Sequence, residues 1–381
     1  MPEKATQSVF PTRVPIPPED VVDREEFLAE LVRRALDVQS VLIAGPRRTG
    51  KTVLANETLR RLREEHGALT AEVDFFYCAS AREFAAKLIL ACLGSRAGRL
   101  HRALAGAERT LAQLVTTTEV SARLPGVELH WLRNPERVSD EEMLDRALAM
   151  PERIAESAGR PCVVMFDEFE EVERLGGDLL LKRMRAIFQR QEHTAYFFLG
   201  SRPSTLRALF GRSRQPFFRF ADPLTIPPVP PEEWREYAGR KLAAQGIRLL
   251  NPAADFLLEK TGGHPWGTSR VFSAAYFAAL SAKSTAVDLD LAVSAYEGMM
   301  DNLADVFVPE LQELADLPHG RAILHRLARG DRPYRDAGAH PQQVKRALEA
   351  LMDRCILRKD GRGRYVFEEP LLREHLLRTG G

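Results

Sequence analysis

Cysteine is scarce in this chain of 381 residues: there are four, Cys78, Cys92, Cys162 and Cys355, far apart in sequence. None lies in a CxxC pair or beside a histidine cluster, which excludes a cysteine metal site, and so few cysteines exclude a disulfide scaffold. The plain expectation is reduced thiols in a cytoplasmic protein. Long apolar runs are missing too. No stretch approaches roughly 18 consecutive apolar residues, so no membrane-spanning helix is expected. The N-terminus, MPEKATQSVFPTRVPIPPED, lacks the apolar core of a signal peptide. Net charge is nearly absent: 54 Lys and Arg against 53 Asp and Glu leave +1, which excludes a histone-like coat for nucleic acid. There is no HExxH, no GxSxG elbow and no internal repeat. What is present is ordinary for a folded protein, with 45% apolar and 28% charged residues. At about 150 residues per domain the length predicts two or three domains.

The first twenty residues hold five prolines and read as an extended lead-in. A helix capped by Asp23 is expected over Arg24 to Asp37. The apolar runs SVLIA (40–44), AEVDFFYC (71–78), PCVVMF (161–166) and AYFFLG (195–200) read as buried strands. Helical patterns at 53–64, 82–93 and 179–191 fall between them. Alternation of this kind predicts an α/β fold with a parallel sheet covered by helices on both faces. An insertion at about 119–132, with Val127, Leu129 and Trp131 alternating beyond a Pro125–Gly126 turn, reads as a β-hairpin. The proline-rich seam LTIPPVPP (224–231) ends this part. Beyond it the pattern is helical at 232–245, 252–261, 268–280, 289–302, 303–330 and 341–354. CILR (355–358) and RYVF (364–367) then flank KDGRG, a hairpin signal. Helices followed by such a hairpin predict a winged helix-turn-helix.

Between the first strand and the next helix lies Gly45-Pro46-Arg47-Arg48-Thr49-Gly50-Lys51-Thr52, a full match to GxxxxGK[ST], the phosphate-binding P-loop, in the required context. Gly45 and Gly50 permit backbone geometry in which successive N–H groups wrap phosphates, and the helix opening at Thr52 and Val53 points its positive end at the same anion. Lys51 is expected to reach the β- and γ-phosphates, and the Thr52 hydroxyl to ligate Mg²⁺. Downstream, VVMF leads into Asp167-Glu168. That places two carboxylates at the C-terminal edge of a buried strand, where ligands bind in such sheets. Asp167 is expected to hold Mg²⁺ and Glu168 to orient or deprotonate the attacking water. The order Asp-Glu favours ATP hydrolysis over transfer to a second substrate; the bland alternative is an acidic loop, since Glu170 and Glu171 follow. After the fourth strand, Ser201 is the expected γ-phosphate sensor and Arg202 a cationic contact, with a plain turn as the alternative. Arg219, Arg212 and Arg214 compete as an arginine finger for a neighbouring subunit, against a solvated basic loop.

Together, GPRRTGKT, MPERIAESAGRPCVVMFDEFEEV and FFLGSR resemble the archaeal-type ATPase family, P-loop ATPases of the STAND branch allied to AAA proteins. The resemblance extends from about Val14 to the C-terminus. It implies a P-loop NTPase core at 21–227 after a lead-in at 1–20, then a helical lid domain at 228–300 and a winged-helix domain at 301–381. Val22-Asp23-Arg24-Glu25 stands where the family has its Gly-Arg-Glu box near the adenine, with Asp23 in place of the usual Gly. Thr261-Gly262-Gly263-His264-Pro265 matches the family's Gly-His-Pro motif, implied to contact base or ribose and report nucleotide state; a helix stop followed by a Pro start is the plainer reading. Where the family often has Gln after Asp-Glu-Phe, this chain has Glu170.

The near-zero charge hides local imbalance. From Arg321 to Arg364 there are twelve Lys and Arg against five acids, while 301–320 carries five acids and no Lys or Arg. Lys345 and Arg346 on the expected recognition helix, and Lys359, Arg362 and Arg364 on the wing, are the candidate DNA contacts. The same surface suits the chain's own acidic segment, a protein client or self-association. The expected function is an ATP- and Mg²⁺-dependent molecular switch. A nucleotide-locked binding protein of low turnover and a DNA-binding ATPase like those of origin recognition or transposition are the alternatives. A small-molecule kinase is disfavoured by Asp167-Glu168.

Overall fold

The computed structural model describes residues 9–12, 15–94, 139–334, 339–361 and 363–379. The expected hairpin at 119–132 lies outside the described residues, as does Arg362. Contacts divide the chain into two compact units. One comprises residues 26–45 and 54–225; the other comprises residues up to 25, 46–53 and 226 onward.

In the first unit, β1 (Val41–Ala44), β2 (Leu69–Asp74), β3 (Cys162–Asp167), β4 (Thr194–Gly200) and β5 (Asp222–Leu224) form one parallel sheet in the order β2-β3-β4-β1-β5. Every residue of β3 and β4 is buried. That is the signature of a sheet covered on both faces. Alternate residues show the two faces. Val164, Phe166, Tyr196, Phe198 and Leu42 share a core with Phe84, Leu88, Met143, Leu148, Met184 and Phe188. Val163, Met165, Phe197, Leu199, Val41 and Ile43 point the other way and are equally buried. The helices in chain order are α1 (Glu25–Leu36), α2 (Lys51–Glu64), α3 (Ala81–Gly94), α4 (Asp140–Ala158), α5 (Val172–Leu175), α6 (Gly177–Phe188) and α7 (Pro203–Gly211).

Three differences from the sequence reading have physical causes. β2 starts at Leu69 and stops at Asp74 rather than running to Cys78, because the Asp74 carboxylate accepts the Phe76 N–H at 2.8 Å and turns the chain. Helix α4 has no counterpart in the sequence reading because Pro151 interrupts its pattern. Ser139 caps it by accepting from the Glu142 N–H, Gly159 ends it in the left-handed region, and Gln191 donates to the Leu148 carbonyl beside the proline. β5 contains Pro223, which an edge strand tolerates.

The second unit is helical: α8 (Pro231–Ala243), α9 (Asn251–Thr261), α10 (Pro265–Ser281), α11 (Leu289–Gln312), α12 (Gly320–Ala328), α13 (Pro341–Asp353) and α14 (Pro370–Thr379). Two short parallel strands, β6 (Arg248–Leu249) and β7 (Ala286–Val287), and an antiparallel hairpin, β8 (Leu357–Lys359) with β9 (Tyr365–Phe367), complete it. One core runs from Phe10 through Trp234, Phe272, Phe307 and Leu348 to Leu376. The lead-in is therefore anchored: Phe10 is fully buried against Tyr237 and Phe272, and Asp20 accepts from the Tyr237 hydroxyl. Helix α11 continues past Asn302, since Leu303, Phe307 and Leu311 prolong its buried stripe. No helix among the described residues is long and apolar enough to cross a membrane.

Candidate functional site

The phosphate loop begins where β1 ends. The Gly45 N–H donates to the Gly200 carbonyl at 3.2 Å, so the end of β1 is tied to the end of β4. The loop turns through two left-handed residues, Arg48 at φ +66° and Gly50 at φ +92°. At Gly50 the angle requires glycine. Helix α2 opens at Lys51, so the N–H groups of Lys51, Thr52 and Val53 stand in its first turn, at the positive end of the helix. Pro46 organises the loop from within: its carbonyl accepts from the Thr49 hydroxyl at 2.9 Å and from the Lys51 ammonium at 2.6 Å. An ammonium has three donors, so Lys51 can keep this bond and still serve an anion.

In the first unit, β3 delivers Asp167 and Glu168. Asp167 is buried, and its Oδ1 accepts the Glu168 N–H at 2.9 Å. Glu168 stands in the left-handed region at φ +47°. Across the β2–β3 register Asp74 lies opposite Asp167. Burial, reinforced by the nearby Asp167 charge, raises the carboxyls of Glu72 and Asp74. This edge offers only hard oxygen donors and carries excess negative charge, a donor set that suits Mg²⁺.

The fourth strand supplies the polar end. Ser201 is buried and its Oγ donates to Glu168 Oε2 at 2.8 Å. Glu170, in the short turn Phe169–Glu171, accepts at Oε1 from the Ser201 N–H at 2.8 Å, the Arg202 N–H at 2.9 Å and Ser201 Oγ at 3.1 Å. Burial pushes the Glu170 carboxyl up. Arg202 is about half exposed and lies 3.6 Å from Glu171. Arg212, Arg214 and Arg219 are exposed, and Arg219 lies over the Phe218 ring.

In the second unit, Arg24 is buried and donates to the Asp23 carbonyl at 3.4 Å, with Asp23 itself left-handed. His264 precedes Pro265 at the start of α10, and the Gly263 carbonyl accepts from the Trp234 indole at 2.9 Å. Burial, with Arg48 adding to it, lowers the His264 imidazole to about 4, so it is neutral at pH 7. Glu369 Oε2 lies 3.5 Å from His264 Nδ1. Burial pushes the Glu369 carboxyl up to about 7 against the opposing pull of Arg48. Arg48 of the loop pairs with Glu310 of α11, and both Arg48 and Arg270 lie over the Trp266 ring, at 4.3 and 4.4 Å.

Residues 21–198 match the family model of the AAA ATPase domain. The chain has the fold of P-loop ATPases, and its residues 21–198 are similar to AAA ATPase domains. Its fold is similar over nearly the whole length to several archaeal structures. The Walker-type ATPase PabY2304 of Pyrococcus abyssi superposes with a TM-score of 0.69 at 18% identity, covering 97% of this chain and 99% of that one. The ORC2 protein of Aeropyrum pernix, solved as ADPNP–ADP complexes, gives 0.62 at 14% identity, covering 97% and 96%. The ORC1 protein of Aeropyrum pernix in complex with DNA gives 0.51 at 16% identity, covering 98% and 97%. No curated protein sequence matches the chain.

In the first unit, the sequence reading named Ser201 and Glu168 but not the residue that ties them, Glu170. Its signal was the departure from Gln after Asp-Glu-Phe. The reading also missed Asp74, which looked like mid-strand, and the Arg48–Glu310–Trp266 contact, which pairs residues more than two hundred positions apart.

Of the basic candidates near the C-terminus, Lys345, Arg346, Lys359 and Arg364 are exposed. Lys345 lies 3.8 Å from Glu349 and Arg364 lies 3.4 Å from Asp360. The apolar stripe of α13, Val344, Leu348 and Leu351, is buried in the core.

Proposed function

We propose that this chain is a Mg²⁺-dependent ATP hydrolase that acts as a molecular switch. The phosphate loop carries the reading: a complete GPRRTGKT between a central parallel strand and a helix, with its turn set by Gly50 and its helix opening at Lys51. In this reading the N–H groups of 45–53 and the Lys51 ammonium bind the β- and γ-phosphates. Thr52 and Asp167 are the protein ligands of Mg²⁺, which supplies charge neutralisation on the phosphates. Glu168 orients the water and takes its proton, Ser201 senses the γ-phosphate beside it, and Arg202 adds positive charge. Asp23 and Arg24 with Gly263, His264 and Pro265 take the base or ribose. Residues 21–227 form the ATPase core, 228–300 the lid and 301–381 a winged helix, in a cytoplasmic protein. A switch requires the ligand to bind two states with different affinity. In this reading His264, 3.5 Å from Glu369, is the group whose surroundings differ between the two states.

The test is ATP binding and phosphate release by wild type and K51A. Loss of a charged hydrogen bond of about 1.5–3 kcal/mol predicts roughly 10- to 100-fold weaker ATP binding in K51A. Equal affinity in the two proteins contradicts the assignment. Tight binding with background phosphate release favours the nucleotide-locked alternative.

A second reading, duplex DNA as the client, has its own support. Lys345, Arg346, Lys359 and Arg364 are exposed on α13 and around the β8–β9 hairpin. A structure of similar fold was solved with DNA.

A further inference from the structure

Glu170 is a buried carboxylate with an expensive environment. It is 3% exposed, and its Oε2 has no hydrogen-bond partner among the described residues. The strand beside it makes room for that oxygen: a Cβ on Gly200 would lie 1.9 Å from Glu170 Oε2 and 2.6 Å from Leu206 Cδ1. The turn that aims it is nailed to the core by Phe169, fully buried against Phe198 at 4.7 Å between ring centroids. An unpaired buried polar atom is penalised, whereas the Ser201 and Arg202 N–H groups would lose their acceptor if an apolar side chain stood here. Oε2 therefore does not account for a carboxylate here.

The hydrogen bonds indicate what does. Oε1 gathers two successive N–H groups, Ser201 and Arg202, at the end of β4. It thereby fixes the backbone that carries Ser201 Oγ. That hydroxyl has one proton and two carboxylate acceptors within reach, Glu168 Oε2 at 2.8 Å and Glu170 Oε1 at 3.1 Å. With Oε1 already served by two N–H donors, the hydroxyl is left for the shorter bond to Glu168. Glu168 itself sits in a left-handed conformation, and its Oε2 accepts this hydroxyl.

We propose that Glu170 is a positioning residue for hydrolysis: it locks the end of β4 so that Ser201 Oγ holds the Glu168 carboxylate in the orientation that serves the attacking water. The role rests on the hydrolytic reading above. It acts through Ser201.

The experiment measures ATP turnover, KM and the affinity for a non-hydrolysable ATP analogue in wild type, E168Q, E170Q, E170L and S201A. The amide oxygen of E170Q accepts the same two N–H groups, so its kcat stays within about threefold of wild type, whereas E170L loses about tenfold or more, the worth of one well-placed hydrogen bond. In E170L, KM and analogue affinity stay within about twofold, because the phosphate loop is untouched. S201A reproduces the kcat loss of E170L, and the E170L/S201A double variant is no slower than the slower single, since both break one connection. S201A removes only a hydroxyl, so it keeps the test open if E170L folds poorly. Wild-type turnover that E168Q abolishes but E170L and S201A retain overturns the role alone. So does a fall of E170Q equal to that of E170L, or a loss of kcat matched by loss of analogue affinity. Wild-type turnover no faster than E168Q, with the analogue bound, overturns the hydrolytic reading and this role with it.

Discussion

At the scale of single residues, burial sets the chemistry of this protein more than formal charge does. Glu369 and His264 face each other 3.5 Å apart, and desolvation drives both toward their neutral forms. Their pH signatures run in opposite directions. The Glu369 carboxyl is raised from 4.5 to about 7, so the folded state binds its proton more tightly. Its stabilising contribution is complete below about pH 4.5 and is lost as pH rises through 7. The His264 imidazole is lowered from 6.5 to about 4, so its contribution is complete above pH 6.5 and is lost as pH falls through 4. Arg48, Arg270 and Glu310 also act on the Glu369 carboxyl, and Arg48 on both groups. E369Q cannot titrate. Its melting temperature relative to wild type should therefore climb between pH 5 and pH 8, by the equivalent of up to about 3 kcal/mol at the upper end. Melting curves across that range check it, and a difference independent of pH contradicts it. None of this was legible in the sequence. His264 was recognised from a motif, but Glu369, between Glu368 and Pro370, belongs to no motif and its partner lies 105 positions upstream.

At the scale of elements, legibility followed the clarity of the apolar pattern. β1, β3 and β4 were readable because VLIA, CVVMFD and TAYFFLG are almost wholly apolar and end at, or one residue before, Gly or Asp. The phosphate loop and its flanking elements were readable for the same reason, with the motif added. β5 and the pair β6–β7 were not, since two or three residues carry no period. Helix α11 was read too short because Asp301 and Asn302 resemble a stop, while its stripe goes on through Leu303, Phe307 and Leu311. Phe307 is fully buried, packed near Trp266 and His375. F307A should cost about 3–5 kcal/mol of unfolding free energy, the usual loss for a large buried aromatic. Urea unfolding monitored by circular dichroism measures it, and a loss below about 1 kcal/mol would mean that this half of α11 is not part of the core.

At the scale of the whole molecule, near-neutral net charge conceals an acidic stretch at 301–320 followed by a basic one from Arg321 to Arg364. The structure explains part of this arrangement: Arg354 of the basic stretch pairs with Asp316 of the acidic one, so some of the opposition is spent internally. Lys345, Arg346 and Lys359 remain exposed. If DNA is the client, log affinity falls linearly with log salt, and K345A/R346A reduces the slope by about 1.8, since each phosphate contact contributes roughly 0.9. An unchanged slope assigns the DNA contact to another surface. The division of labour between an α/β unit and a helical one was legible from the proline seam and the change of period. That residues 46–53 group with the helical unit was not, because Arg48, Trp266 and Glu310 meet only in three dimensions. The proposed hydrolysis rests most heavily on Glu168, as the group that takes the proton of the attacking water. Single-turnover phosphate release from prebound Mg²⁺–ATP, in wild type and E168Q side by side, tests it most directly. The account predicts equal ATP occupancy and at least about a hundredfold slower release in E168Q, a loss of the size expected for a general base. Equal rates of release in the two proteins would contradict it.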